Sequence, residues 1–188
     1  MIAVAAVSLP FFSACKDDDD DDTTYTYDLS DFQQWRAQND AWVAEMQQRR
    51  NADGTPYYTT VIPAWNPGIF VLMHYFNDRS DTEGNLTPLS TSTVDVRYVG
   101  YDCEGAGFDS STNVNRYGKL GIARFGCNQV ISGWTAAMEQ MRVGDTVEII
   151  VPYNAAYGTQ YTAAVRPYSS LRFNIRLDDI YRYEAPNN

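Results

Sequence analysis

The chain has 188 residues, of which 44% are hydrophobic and 14% aromatic, which suits one domain with a packed core and excludes disorder throughout. Its net charge is −10, but Lys16 (+1) and the six aspartates of residues 17–22 (−6) supply −5 of it. Since the remainder is mildly acidic and a negative protein repels phosphate backbones, we expect no nucleic-acid partner.

Residues 1–14 are apolar or small and uncharged, and Cys15 follows them directly. A run of this length is too short to span a bilayer but fits the hydrophobic core of a secretory signal. Phe12-Ser13-Ala14-Cys15 resembles a bacterial lipobox, although Phe12 stands where Leu is usual and no Lys or Arg precedes the run. We therefore predict a lipoprotein signal peptide at residues 1–14 and a membrane anchor through lipidation of Cys15.

Residues 15–28 are predicted to form an acidic, disordered tether, because six consecutive aspartates repel one another and extend the chain. Adjacent carboxylates without spaced ligands and a glycine make a poor calcium cage, so we expect no metal there. The sequence Cys15-Lys16-Asp17-Asp18 resembles the signal that sends lipoproteins to the outer face in Bacteroidetes. These segments together predict a bacterial outer-membrane lipoprotein that is periplasmic or exposed at the cell surface.

Residues 29–60 are predicted to form an N-terminal helix and a linker. Ser30 and Gln33 have the spacing of a capping box, and the helix should run to about Arg50. Apolar side chains recur along one face at helical spacing: Phe32, Trp35, Trp42, Val43 and Met46. This stripe either packs on the body of its own chain or pairs with a second copy, which allows a monomer or a helix-mediated dimer.

Residues 61–188 are predicted to form an α+β domain. Apolar runs and alternation indicate strands at residues 69–73, 94–99, 148–151 and 171–177, with a polar surface loop at residues 77–91. One short helix, at about residues 133–140, interrupts the strands. Several antiparallel strands with one crossing helix predict a sheet with the helix against one face.

The two cysteines beyond Cys15 are Cys103 and Cys127. An exported protein meets oxidising conditions, in which an even pair can form a disulfide. The alternative is two separate thiols, because a bridge requires a short Cα–Cα distance that sequence does not supply.

Six short motifs occur in a fixed order between residues 96 and 177. They are V-x-Y-x-G at 96–100, F-D-S-S at 108–111, V-I-x-G-W at 130–134, M-x-V-G at 141–144, A-Y-G at 156–158 and an alternating strand at 171–177. Over about residues 67–183 this series resembles the FKBP-type peptidyl-prolyl isomerases. The resemblance implies an FKBP-like curved antiparallel sheet wrapped on one short helix, here preceded by an N-terminal helix.

The resemblance also implies a site for a proline ring, with Trp134 as its floor. The walls would be Tyr98, Phe108, Val130, Ile131 and Phe173. The Ile131 N–H and the Tyr157 hydroxyl would hold substrate carbonyls, with Asp109 at the rim. Val165 and Tyr161 would bind substrate, Tyr161 by covering the pocket. Residues 118–123 carry smaller side chains where the family usually has an aromatic one, so one wall is expected to be open.

The function that follows is peptidyl-prolyl cis-trans isomerisation that assists the folding of exported or cell-envelope proteins. It needs no cofactor, and its partners would be proline-containing segments and macrolide inhibitors. His74 is the only histidine and has no Cys or acid at ligand spacing, which argues against a zinc site or a histidine triad. Because the wall and the loop after Gly158 depart from the family pattern, the alternative is a catalytically weak FKBP-like binding or chaperone module.

Overall fold

The computed structural model describes residues 27–116 and 119–181. The predicted signal peptide, Cys15 and most of the tether lie outside these described residues. The helices are α1 (Gln33–Gln48) and α2 (Ser132–Met138). The strands are β1 (Thr59–Val61), β2 (Val71–Tyr75), β3 (Thr93–Tyr101), β4 (Gly107–Ser110), β5 (Asn115–Arg116), β6 (Lys119–Leu120), β7 (Ala123–Gly126), β8 (Thr146–Val151) and β9 (Leu171–Tyr181).

Seven of the strands form one antiparallel sheet in the order β1-β2-β8-β9-β3-β4, and β7 pairs with the first half of β3 beside β4. Strands β5 and β6 form a separate small hairpin. The long central pair β3 and β9 sets the register, with Tyr98 opposite Ile175 and Gly100 opposite Phe173. Since alternate residues share a face, Tyr98 and Phe173 point to the same side of the sheet. The predicted α+β fold with a curved antiparallel sheet on a short helix is confirmed.

Helix α2 lies on that face, and its close approach to the sheet explains the glycine of the V-I-x-G-W motif. A Cβ atom added at Gly133 would lie 2.4 Å from Val151 Cγ1 and 3.0 Å from Val71 Cγ1. Both distances are shorter than the 3.5–4.0 Å at which carbon atoms attract, so the backbone of α2 packs directly on β2 and β8. The helix thereby holds Trp134 in the core.

Helix α1 covers the opposite face of β2 and β8. Val43 packs there with Tyr58, Leu72 and Ile150, while Trp35 is also buried. Strands covered on both faces are apolar in consecutive positions, and accordingly residues 147–151 are all buried. The apolar stripe of α1 therefore packs on the body of its own chain, which confirms the first of the two interpretations.

The start and end of α1 differ from the prediction. A 3₁₀ turn at Leu29–Phe32 precedes the helix, and Asp28 caps this turn by accepting a hydrogen bond from the Ser30 N–H at 2.9 Å. The prediction of a capping box was wrong, because the side-chain amide of Gln33 donates to the Leu29 carbonyl at 3.0 Å and the Ser30 N–H is bound by Asp28 instead. The helix ends at Gln48, two residues before Arg50.

Two buried carboxylates fix the loops and strand ends. Asp145 is fully buried and accepts hydrogen bonds from the Thr82 hydroxyl and the Arg142 N–H, each at 2.7 Å, which ties the long surface loop to the turn before β8. Asp95 of β3 forms a two-point ion pair with Arg124 of β7, at 2.6 and 2.7 Å. The disulfide is not formed, since Cys103 and Cys127 are both free.

Candidate functional site

The floor of the candidate site is the ring of Trp134, which is 1% exposed. Three other rings contact it edge to face, with centroids at 5.1 Å for Tyr98, 5.2 Å for Phe173 and 5.9 Å for Phe125. The interplanar angles are 86–89°. Edge-to-face contacts favour a fixed arrangement of aromatic rings, so the floor and its surroundings form a rigid apolar cluster.

Phe125 is a site residue that the sequence analysis missed. It lies in β7, two residues after the segment from which we expected an open wall, and it also contacts Tyr98 at 6.0 Å. The prediction of an open wall was wrong, because Phe125 fills that side. The alternation of Ala123, Arg124 and Phe125 before the V-I-x-G-W motif indicates a strand with two apolar residues on one face, but only the pairing with β3 shows that this face lines the site.

On the other side, Phe108 of β4 completes the wall. Its ring centroid lies 5.7 Å from that of Phe173. Both rings pass over Gly100, where an added Cβ would lie 2.8 Å from Phe173 and 2.9 Å from Phe108. The glycine of the V-x-Y-x-G motif therefore provides the space that these two rings occupy. Val130 and Ile131 are partly buried and pack on the same apolar cluster.

A carboxylate lies at this wall. Asp109 of β4 accepts a hydrogen bond from the Tyr98 hydroxyl at 3.0 Å. The backbone of Tyr98 is held as well, because its N–H donates to the Ser111 hydroxyl and its carbonyl accepts from the Ser111 N–H, each at 3.0 Å. The F-D-S-S motif thus supplies one wall residue, one acceptor for Tyr98 and one clamp on its backbone.

Tyr157 follows the 3₁₀ turn Tyr153–Ala155 and is partly buried against the apolar cluster. Burial, and then the nearby Tyr98, raises the pKa of the Tyr157 hydroxyl to about 12. The hydroxyl is therefore protonated at neutral pH and is available as a hydrogen-bond donor. Gly158 has a φ of 64°, which a glycine adopts without strain, and its N–H closes the turn on the Tyr153 carbonyl at 2.8 Å.

The two predicted substrate-binding residues differ in placement. Val165 is buried in the apolar core that includes Trp134 and Phe173. Tyr161 is exposed, and its ring contacts Tyr27 at 5.5 Å and Phe32 at 6.1 Å. Tyr161 thus packs on the N-terminal segment, where we had expected it to cover the pocket.

The structure thus brings Tyr98, Phe108, Asp109 and Trp134 together with the remaining wall residues and Tyr157. A family model described as FKBP-type peptidyl-prolyl cis-trans isomerase matches residues 84–178, a range that includes every one of these side chains. The chain belongs to this family. Helix α1 and strands β1 and β2 lie outside the matched range.

Relatives with established names agree with the family model. The chain is 38% identical over 98 residues to a macrophage infectivity potentiator of Trypanosoma cruzi, which covers 52% of the chain and 47% of the relative. It is 36% identical over 94 residues to the FKBP-type 22 kDa peptidyl-prolyl cis-trans isomerase of Escherichia coli, covering 50% of the chain and 43% of that protein. The chain thus spans about half the length of these curated relatives or less.

Solved structures show the same FKBP-like fold. A peptidyl-prolyl cis-trans isomerase from Pseudomonas syringae superposes with a TM-score of 0.60 at 23% identity, covering 84% of this chain and 98% of that one. FkpA from Escherichia coli superposes with a TM-score of 0.62 at 22% identity, covering 81% and 63%. Within the part of the chain that the structure describes, neither helix has the length and apolarity needed to cross a membrane.

Proposed function

We propose that this protein catalyses cis-trans isomerisation of X-Pro peptide bonds without a covalent step. The observation that carries the proposal is the convergence of the Trp134 floor, its three edge-on rings, Asp109 and Tyr157 at one apolar cluster. The chemistry of these groups suits a reaction that requires desolvation and orientation and does not require a nucleophile.

The barrier to rotation about a peptide bond is about 18–20 kcal/mol, because amide resonance must be broken. The planar amide carries a charge-separated resonance form, and the twisted transition state carries less of it. An apolar surface that excludes water disfavours the planar form relative to the twisted one, which is differential binding of the transition state. For this reaction the aromatic lining is itself the catalytic feature.

The proposed roles follow from the positions of the side chains. Trp134 supports the proline ring, and the walls are Tyr98, Phe108, Phe125, Val130, Ile131 and Phe173. The protonated Tyr157 hydroxyl and the Ile131 N–H would donate to substrate carbonyls that flank the rotating bond. Asp109 accepts from Tyr98 and so fixes the orientation of that wall ring.

A protease-coupled assay on X-Pro peptides tests the activity. We expect the wild-type protein to accelerate isomerisation, and we expect Tyr157→Phe and Trp134→Leu to reduce kcat/KM. Tyr181→Phe is the matched control, because Tyr181 lies at the end of β9 and is 44% exposed. Rates at the uncatalysed level in the wild-type protein would refute the isomerase and leave the binding module. Titration with proline peptides and a macrolide would then measure that binding.

We propose further that the protein acts at the cell envelope as a lipoprotein anchored through Cys15, with the domain boundaries predicted above. The support is the lipobox-like sequence and the acidic tether. Metabolic labelling with palmitate, compared between wild type and Cys15→Ser, tests the anchor, and protease treatment of intact cells tests surface exposure. Since Trp35 and Val43 are buried against their own chain, we propose a monomer, which a solution mass measurement tests.

A further inference from the structure

The loop that carries Tyr157 is held by a part of the chain outside the family-matched region. This rim loop, residues 152–170, connects β8 to β9. Trp35 donates from its indole N–H to the Ser169 hydroxyl at 2.9 Å, and Asn39 accepts from the Ser170 N–H at 2.7 Å. The guanidinium of Arg166 lies 3.6 Å from the ring centroid of Trp35. The first half of α1 therefore binds the end of the rim loop.

The segment that precedes α1 binds the middle of the same loop. The Tyr27 hydroxyl donates to the Thr159 carbonyl at 2.9 Å and accepts from the Tyr161 N–H at 3.1 Å. The rings of Tyr27, Phe32 and Tyr161 also contact one another at 5.5–6.1 Å. Thr159 is two residues from Tyr157, so this contact, which we call the Tyr27 latch, restrains the chain next to the proposed carbonyl donor.

A strained backbone in the rim loop is consistent with an external restraint. Tyr168 is the one non-glycine residue with positive φ, 62°, in the described parts of the chain. A bulky residue adopts this conformation only where surrounding contacts enforce it, and such residues are common at ligand-binding loops. Here the Tyr168 N–H bonds the Gly158 carbonyl at 2.8 Å, and Arg36 of α1 lies 5.1 Å from the centroid of its ring.

On these contacts, and on the function proposed above, we propose that the N-terminal segment is a positioning element of the active site. Tyr27 is its principal positioning residue and acts through Tyr157, by holding the rim loop in the conformation that presents the Tyr157 hydroxyl to substrate. The second half of α1 attaches the helix to the sheet, since Val43 packs with Leu72 of β2 and Ile150 of β8.

A double-mutant cycle on kcat/KM tests the coupling. Tyr27→Phe removes both hydrogen bonds of the hydroxyl and keeps the ring; since an intramolecular hydrogen bond shifts a local equilibrium several-fold, we expect kcat/KM to fall roughly fivefold. In a Tyr157→Phe background we expect Tyr27→Phe to cost less than about twofold, because the group through which it acts is absent. Tyr181→Phe is the matched control, because Tyr181 is 44% exposed and Tyr27 is 43% exposed. It should change neither kcat/KM in either background nor Tm.

Equal losses in the two backgrounds, or no loss in the first, would overturn the proposal. An arm independent of activity is hydrogen exchange of the Gly158 and Tyr168 amides, whose partners within the loop do not include Tyr27. We expect both amides to exchange faster in Tyr27→Phe than in Tyr181→Phe, and equal exchange would refute the latch. An inactive wild-type protein whose amides nevertheless respond would refute the isomerase activity and leave the restraint of the loop intact.

Discussion

Gly133→Ala tests whether the close packing of α2 on the sheet builds the site. The added Cβ would lie 2.4 Å from Val151 Cγ1 and 3.0 Å from Val71 Cγ1, and both valines are fully buried in strands. Neither can move aside without disturbing the core, and overpacking of this kind costs about 1–3 kcal/mol. Alanine improves helix propensity over glycine by at most about 1 kcal/mol in a helix interior. The cost of the steric clash should therefore exceed the gain in helix propensity, and the free energy of unfolding should fall by about 1–2 kcal/mol.

Urea denaturation of the wild type, Gly133→Ala, Val151→Ala and the double variant measures this effect. Val151→Ala removes the two methyl groups that the new Cβ meets at 2.4 and 3.2 Å. The free-energy cost in the double variant should therefore be smaller than the sum of the two single costs by about 1 kcal/mol or more. A Gly133→Ala protein as stable as the wild type, or strictly additive costs, would refute the packing argument. Where the variant is folded, kcat/KM should also fall, because α2 carries Trp134.

Three further predictions concern charge and burial. Burial raises the pKa of Tyr157 to about 12, so the hydroxyl stays protonated and kcat/KM should not vary between about pH 6 and pH 9. In the unfolded chain the pKa of tyrosine is about 10. The free energy of unfolding should therefore decrease only as the pH rises from about 10 toward 12. Burial raises the pKa of both Cys103 and Cys127 to about 11, so a thiol reagent at pH 7.5 should label them slowly until denaturant is added, and a reductant should leave Tm unchanged. Arg124→Met should cost about 3–5 kcal/mol in urea denaturation by leaving a buried carboxylate unpaired. Arg176→Met should cost less than about 1 kcal/mol, because Arg176 is half exposed and its partner Asp178 keeps its ion pair with Arg97.

The wall residues other than Phe125 could be named from the sequence because the six motifs, in their order and spacing, resemble those of a known family. The alternation in β9 places Phe173 on the core face, and the register of β3 and β9 then brings it beside Tyr98. Phe125 could not be placed in the same way. Which residues of a short strand face the core depends on its pairing with β3, and a slip of one residue would reverse every side chain. Only the register, with Phe125 opposite Val94, decides it.

The contacts of α1 could not be predicted from the sequence, for a different reason. Its stripe indicates a buried face but not the surface that covers it, and the apolar runs of β2 and β8 are compatible with a strand buried on one or both faces. The contacts of Trp35 and Tyr27 with the rim loop join residues 134 and 132 positions apart. No local pattern reports such pairs. The same holds for Cys103 and Cys127, whose separation depends on how two distant turns pack.

Tyr98 and Tyr157 have different proposed roles because their hydroxyl groups have different surroundings. The Tyr98 hydroxyl donates its proton to a hydrogen bond with Asp109, which fixes the Tyr98 ring as a wall of the site. Tyr157 has the other role, because burial keeps its hydroxyl protonated while the turn at Gly158 and the Tyr27 latch determine where it points. A donor with so high a pKa is a weak acid, which suits holding a neutral carbonyl better than transferring a proton. The arrangement therefore favours rotation of the bound amide over its cleavage.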